Sequence, residues 1–183
     1  MPAAIRTYVR LVDGINRVVG RAMMYGIFVM MAILLWSSIS KTFLLPSLWT
    51  LEMAQFAMVA YYLLGGPYSI QLGSNVRMDL LYGDWSVRKK AWFDAITIMF
   101  LIFYLAVLLH GGISSTAYSF EYGERSATAW RPYMWPIKVI MCLGLFLMLL
   151  QAISEFFKDI ATIRGAEIAP AGEGQPAAGE DRP

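Results

Sequence analysis

Three stretches of this chain carry no acidic or basic side chain for long enough to cross a bilayer, and a fourth carries a single lysine. No other feature limits the fold as strongly. The stretches are residues 22–40, closed off by Arg21 and Lys41; the run between Glu52 and Arg77; the run between Asp94 and Glu121; and residues 133–154, with Lys138 in their first turns. A spanning helix needs about 20 predominantly apolar residues, and a lysine near a helix end can extend its head to the lipid headgroups. The runs are continuous rather than alternating, and a membrane barrel needs at least eight strands. The sequence therefore predicts an all-α integral membrane protein with four transmembrane helices, at about 22–40, 52–73, 95–117 and 133–154. Charged residues make up 15% of the chain, against about a quarter in a soluble domain. A net charge of +2 gives no electrostatic footprint for nucleic acid. The lone Cys142 excludes a disulfide or a CxxC pair within the chain. The first apolar run starts only after Arg21, is long enough to span and lacks a small-residue cleavage pattern, so it is expected to be a span and not a signal peptide.

Lysine and arginine near span ends set orientation. Arg6, Arg10, Arg17 and Arg21 precede the first span; Arg77, Arg88, Lys89 and Lys90 lie between the second and third; Lys158 and Arg164 follow the fourth. The opposite side has Lys41, Arg125, Arg131 and Lys138. Ten against four predicts that both termini and the central loop face the cytoplasm. Residues 1–21 predict an amphipathic interfacial helix. Its polar face is Arg6, Arg10, Asp13, Arg17 and Arg21, and its apolar face Ile5, Tyr8, Val9, Val12, Ile15 and Val19. Ser86 is placed to cap a short helix leading into the third span. Residues 161–183, rich in Gly, Ala, Pro and Glu, have too little apolar surface for a core and are expected to be a disordered cytoplasmic tail.

Few groups in the spans can do chemistry. His110, the only histidine, reads as a neutral side chain bonded to a neighbouring helix; Ser114 sits one turn away with no second catalytic element in sight. Gly65, Gly66 and Pro67 interrupt the second span, where proline removes a hydrogen bond and kinks the helix and glycine lets another helix close in. Glu52 at the start of that span reads as a solvated cap favoured by the helix dipole. Trp130, Tyr133 and Trp135 read as an interfacial aromatic belt. Pro132 and Pro136 define entry into the fourth span. No cofactor, metal or catalytic group is expected. A conducting protein needs polar groups inside its bundle, so this pattern points to a subunit that supports another protein.

The stretch LGGPYSIQLGSNVRMDLLYGDWSVRKKAWFD resembles the signature of the small, Q-type (DctQ-like) membrane subunit of tripartite ATP-independent periplasmic (TRAP) transporters. Val76, Arg77, Asp79, Leu81 and Tyr82 carry the likeness, followed by Arg88, Lys89, Lys90, Trp92 and Asp94. Histidine is common in that family where Asn75 stands. Trp130, Pro132, Trp135, Pro136, Ile137, Lys138, Gln151 and Glu155 are similar to a second family element. The resemblance implies a sodium-coupled importer of organic acids. A periplasmic substrate-binding protein, meeting the outer loops, captures the substrate. A large membrane subunit, where sodium coupling resides, moves it. The small subunit is non-catalytic and widens the scaffold of the large one. On this reading Arg77, Asp79, Trp130, Pro136, Lys138 and Glu155 are the candidates for docking the partner or fixing the loops. Two other classes stay open: a self-associating small transporter, which would need a membrane-embedded carboxylate, and a membrane enzyme using His110 and Cys142.

Overall fold

The computed structural model describes residues 3–43, 45, 47–72 and 87–163. Five helices account for most of them: α1 (Ala3–Met24), α2 (Gly26–Phe43), α3 (Thr50–Gln71), α4 (Val87–Glu121) and α5 (Trp135–Ile163). Among the described residues there is no strand, only one isolated bridge between Arg125 and Tyr133.

The last helix organises the rest. α5 packs along α4 on one side and α3 on another, and α1 crosses both α3 and α5. Leu105 of α4 and Leu145 and Ala152 of α5 form the buried centre, with Leu63 of α3 and Met148 of α5 against it. α3 and α5 approach to backbone distance at Gly144. Pro67 has no N–H to donate to the carbonyl of Leu63, one turn earlier. Gly144 lies on that carbonyl: a Cβ added there would stand 2.9 Å from the Leu63 oxygen and 2.8 Å from its Cβ. Gly66 repeats the device one turn on, where a Cβ would meet the Met148 methyl at 2.3 Å. Of the expected pair, Gly66 thus acts by close approach, whereas an added Cβ at Gly65 would meet nothing within 4 Å. They do not interrupt the helix, however, because α3 runs unbroken from Thr50 to Gln71 with Pro67 buried inside it.

α1 and α2 meet at Tyr25, where short i→i−3 bonds link Tyr25 N–H to the Ala22 carbonyl (3.2 Å) and Phe28 N–H to the Tyr25 carbonyl (3.1 Å). Gly20 of α1 sits on the Tyr68 ring of α3. The buried face of α1 is Val9, Val12, Asp13, Asn16 and Gly20, while Ile15 is 43% exposed. This corrects the expected division: Asp13 belongs to the inner face and Ile15 to the outer one. Asp13 and Asn16 fall with Val9, Val12 and Gly20 on one 3.6-residue stripe, and α5 supplies polar partners for them.

Three stretches are long and apolar enough to cross a membrane: Ile5–Phe43, Trp92–Glu121 and Trp135–Ala161. The first joins α1 to α2; at 39 residues it would measure roughly 58 Å if straight, about twice the hydrocarbon thickness. α3 is not among the three. It is the helix flanked by α1, α2 and α5, although Tyr62 remains exposed. α2 and α4 instead turn large apolar side chains outward, among them Phe28, Leu35, Phe100 and Phe103. Ser86 and residues 164–183 of the expected tail lie outside the described residues, and α5 continues to Ile163.

Gly144→Val should therefore drive side-chain atoms into the Leu63 backbone and cost about 1–3 kcal/mol. Gly14, whose added Cβ meets nothing within 4 Å, is the control: Gly14→Ala should stabilise by roughly 0.4–1 kcal/mol. Thermal unfolding of the detergent-solubilised chain, followed by circular dichroism, checks both.

Candidate functional site

Two polar clusters sit at opposite ends of the bundle. Where α1 crosses α5, Asp13 is 1% exposed. Its carboxylate pairs with Lys158 Nζ at 2.8 Å and accepts hydrogen bonds from Gln151 Nε2 (3.0 Å) and Ser154 Oγ (3.3 Å). Asn16 Nδ2 donates to Gln151 Oε1 at 2.6 Å. Lys158 also holds Glu155 at 2.8 Å, and Gln151 Nε2 donates to Glu155 Oε1 at 3.0 Å. Spacing explains why α5 can do this: positions 151, 154, 155 and 158 fall on one helical face. Tyr8 completes the joint by donating to the Leu150 carbonyl at 3.1 Å, with its ring edge-on to Phe157. Glu155, a candidate from the sequence, thus works inside the chain as a brace for Lys158 and Gln151.

The other cluster ties α4, α5 and their connecting loop. Lys138 Nζ pairs with Glu124 Oε2 at 2.6 Å and donates to Ser119 Oγ, which in turn donates to Glu124. The expected lysine reaching for headgroups is instead anchored by a carboxylate of its own chain. Backbone bonds from Ser126 N–H to the Pro132 carbonyl and from Met134 N–H to the Glu124 carbonyl close the loop. Gly123 and Arg131 adopt positive φ, 60° and 50°. Arg125 stacks on the Tyr133 ring, 4.2 Å from its centroid. Glu52 is 5% exposed and accepts from Ser126 Oγ at 3.0 Å, which overturns the solvated cap: it stays in the first turn of α3, but the loop covers it. At the α2–α3 corner, Thr50 donates to Ser37 Oγ at 3.0 Å.

Trp130 and Pro136 come together on the wall of an apolar groove of about 620 Å³ between α2, α3 and α5, facing Val29, Phe56 and Ala57. Arg77 and Asp79 lie outside the described residues. His110 is exposed on α4, so it does not bond to a neighbouring helix of this chain. Cys142 packs at Gly112, with its sulfur 3.3 Å from Thr116 Oγ1. Gly112 and His110 are two residues apart, on nearly opposite faces of α4, so the structure does not unite His110 with Cys142. Among the described residues no three His, Cys, Asp or Glu side chains are grouped to hold a metal. The sequence reading missed Asp13, Asn16, Ser119 and Glu124 as partners. The one available signal was the 3–4-residue spacing of Asp13 and Asn16 with Val9, Val12 and Gly20.

These features define a helical membrane protein whose buried polar groups fasten helix to helix. The family model for tripartite ATP-independent periplasmic transporters, DctQ component, matches residues 30–162, and the chain belongs to that family. It is a small permease subunit of the TRAP type, in a system that also comprises a large membrane subunit and a substrate-binding protein. No curated protein and no solved structure matches the chain.

Lys158→Met strands the buried Asp13 carboxylate and should cost about 3–5 kcal/mol. Adding Asp13→Asn removes the stranded charge, so the double variant should unfold later than Lys158→Met alone in a detergent-denaturation series. At the other end, hydrogen bonds from Lys138 and Ser119 hold the Glu124 carboxyl below its ordinary value of 4.5. Such a group stabilises the fold above that value and loses its contribution as pH falls through the depressed folded value. The stability difference between the wild type and Glu124→Gln should therefore be constant at neutral pH and shrink below about pH 4.5, as read from melting temperature against pH.

Proposed function

We propose that this chain is a non-catalytic scaffold subunit of a sodium-coupled importer of organic acids. It spans the bacterial inner membrane four times, through α2, α3, α4 and α5, with both termini in the cytoplasm and α1 in the membrane interface. The packing of α3 against α1, α2 and α5 supports counting it as a span despite its polar content. The arginines of α1 favour an interfacial position on the cytoplasmic side.

The observation that carries the reading is the groove containing Trp130 and Pro136. It is open, lined almost wholly by apolar side chains, and large enough at about 620 Å³ to take bulky side chains of another helix. The large subunit fills it. Arg77 and Asp79 in the central loop add a second, cytoplasmic contact. Lys138 and Glu155 act indirectly, by fixing the elements that shape the docking face. Sodium coupling and substrate transfer belong to the large subunit, substrate capture to the periplasmic protein that meets the outer loops.

Affinity capture of the tagged chain from its host in mild detergent tests this. A multi-span protein should be recovered in stoichiometric amount. Trp130→Ala should weaken its retention roughly thirtyfold, the effect of losing an aromatic anchor worth about 2 kcal/mol. Ala57→Phe, which fills the groove, should weaken it as well. Recovery of the chain alone or as a self-associated species would reject the scaffold reading in favour of a small self-sufficient transporter.

A further inference from the structure

A second groove lies at the other end of the bundle, between the last turns of α1 and the C-terminal half of α3. It holds about 360 Å³, and its walls include Gly20, Met24, Tyr62, Gly65, Tyr68 and Ser69. Along α3 the lining extends from Tyr61 to Leu72, a rise of roughly 16 Å. That is about half of the ~30 Å hydrocarbon thickness, the depth of one leaflet. Gly65 leaves the wall open, since a Cβ there would meet nothing within 4 Å. The space suits an extended hydrocarbon chain.

The same face of α1 carries charge beside the groove. Arg17, Arg21 and Met24 follow one another at helical spacing and share a face of α1, and Met24 lines the groove. Arg6 and Arg10 continue the same stripe toward the N-terminus. The nearest carboxylate on α1, Asp13, is buried and committed to Lys158, so it does not neutralise the stripe. Among the described residues neither Arg17 nor Arg21 has a carboxylate partner. A cationic stripe on the helix face that carries Met24, beside a slot about one leaflet deep, matches one chemistry: an anionic phosphate head on a hydrocarbon tail.

We propose that this groove binds one anionic phospholipid, with its phosphate at Arg17 and Arg21 and an acyl chain lying along Gly65 between α1 and α3. The lipid then seals the joint between the interfacial helix and the bundle. The inference rests on the membrane-spanning reading and not on the large subunit.

The full-length chain, purified in detergent and offered equal amounts of phosphatidylglycerol and phosphatidylcholine, is to be measured by native mass spectrometry. One phosphatidylglycerol should be retained in preference to phosphatidylcholine. Arg17→Gln with Arg21→Gln should weaken that retention roughly thirtyfold, at the strength of two basic residues near an anionic headgroup. Gly65→Leu, which fills the slot with charge unchanged, should abolish it. Equal retention of both lipids would overturn the proposal. So would loss on removing the arginines with none from Gly65→Leu, because attraction would then be diffuse and the groove unused. Undiminished binding by the arginine variant would overturn it too. A unit-resolution melting curve of each variant separates loss of binding from loss of fold. The assay contains no second subunit, so its outcome is independent of whether a large subunit is captured.

Discussion

The contact between Gly144 and the Leu63 carbonyl sets the geometry of everything around it. A proline frees the oxygen, a glycine has no side chain to hold the helices apart, and α3 and α5 close to backbone distance. Apolar side chains gain little by leaving lipid for one another, so close packing and polar contacts must hold such helices together. Once α3 and α5 lie side by side, α1 can straddle both. It places Gly20 on Tyr68 of one and Asp13 among Gln151, Ser154 and Lys158 of the other. Separating α3 from α5 by one methyl group would move the two halves of that seat apart.

Polarity is divided along the molecule. The middle is packed with Leu105, Leu145 and Ala152, and the ion pairs stand near the helix ends. Lys158 pairs with two carboxylates, Asp13 and Glu155, and Lys138 with one, Glu124. A buried pair adds little to stability compared with an apolar replacement, but breaking it is costly. The value of these clusters is therefore selectivity among packings: only one register of α1 on α5 gives Asp13 its partners. This fits a subunit whose task is to present fixed surfaces.

The helices were legible because charge brackets each apolar run, and bracketing is a local property. The exception, α3, shows the limit of hydropathy. α3 packs against α1, α2 and α5, and Tyr61, Tyr62, Gly65 and Gly66 dilute its apolar signal. The partners of Asp13 and Glu52 were illegible for a related reason. A charged residue on a basic stripe, or at a helix start, reads as solvated unless its counterpart is known. Those counterparts are Lys158 and Ser126, far along the chain. Lys138 was named for fixing the loop or docking a partner, but its carboxylate partner in the loop, Glu124, was not foreseen. Trp130 and Pro136 could be named from the loop, and their union with Phe56 and Val29 in one groove required the tertiary structure.

The Asp13 cluster also orders events in time. Asp13 and Gln151 are 138 residues apart. At synthesis rates of about 5–20 residues per second, α1 leaves the ribosome roughly 7–28 s before α5 can receive it. During that interval the Asp13 carboxylate has no cationic partner from α5 and must stay hydrated. The seat of Asp13 is therefore completed only when the final helix arrives. Completion of the fold is thus reported by its first element, and a chain truncated before Lys158 would keep α1 against α3 but leave Asp13 without its cation.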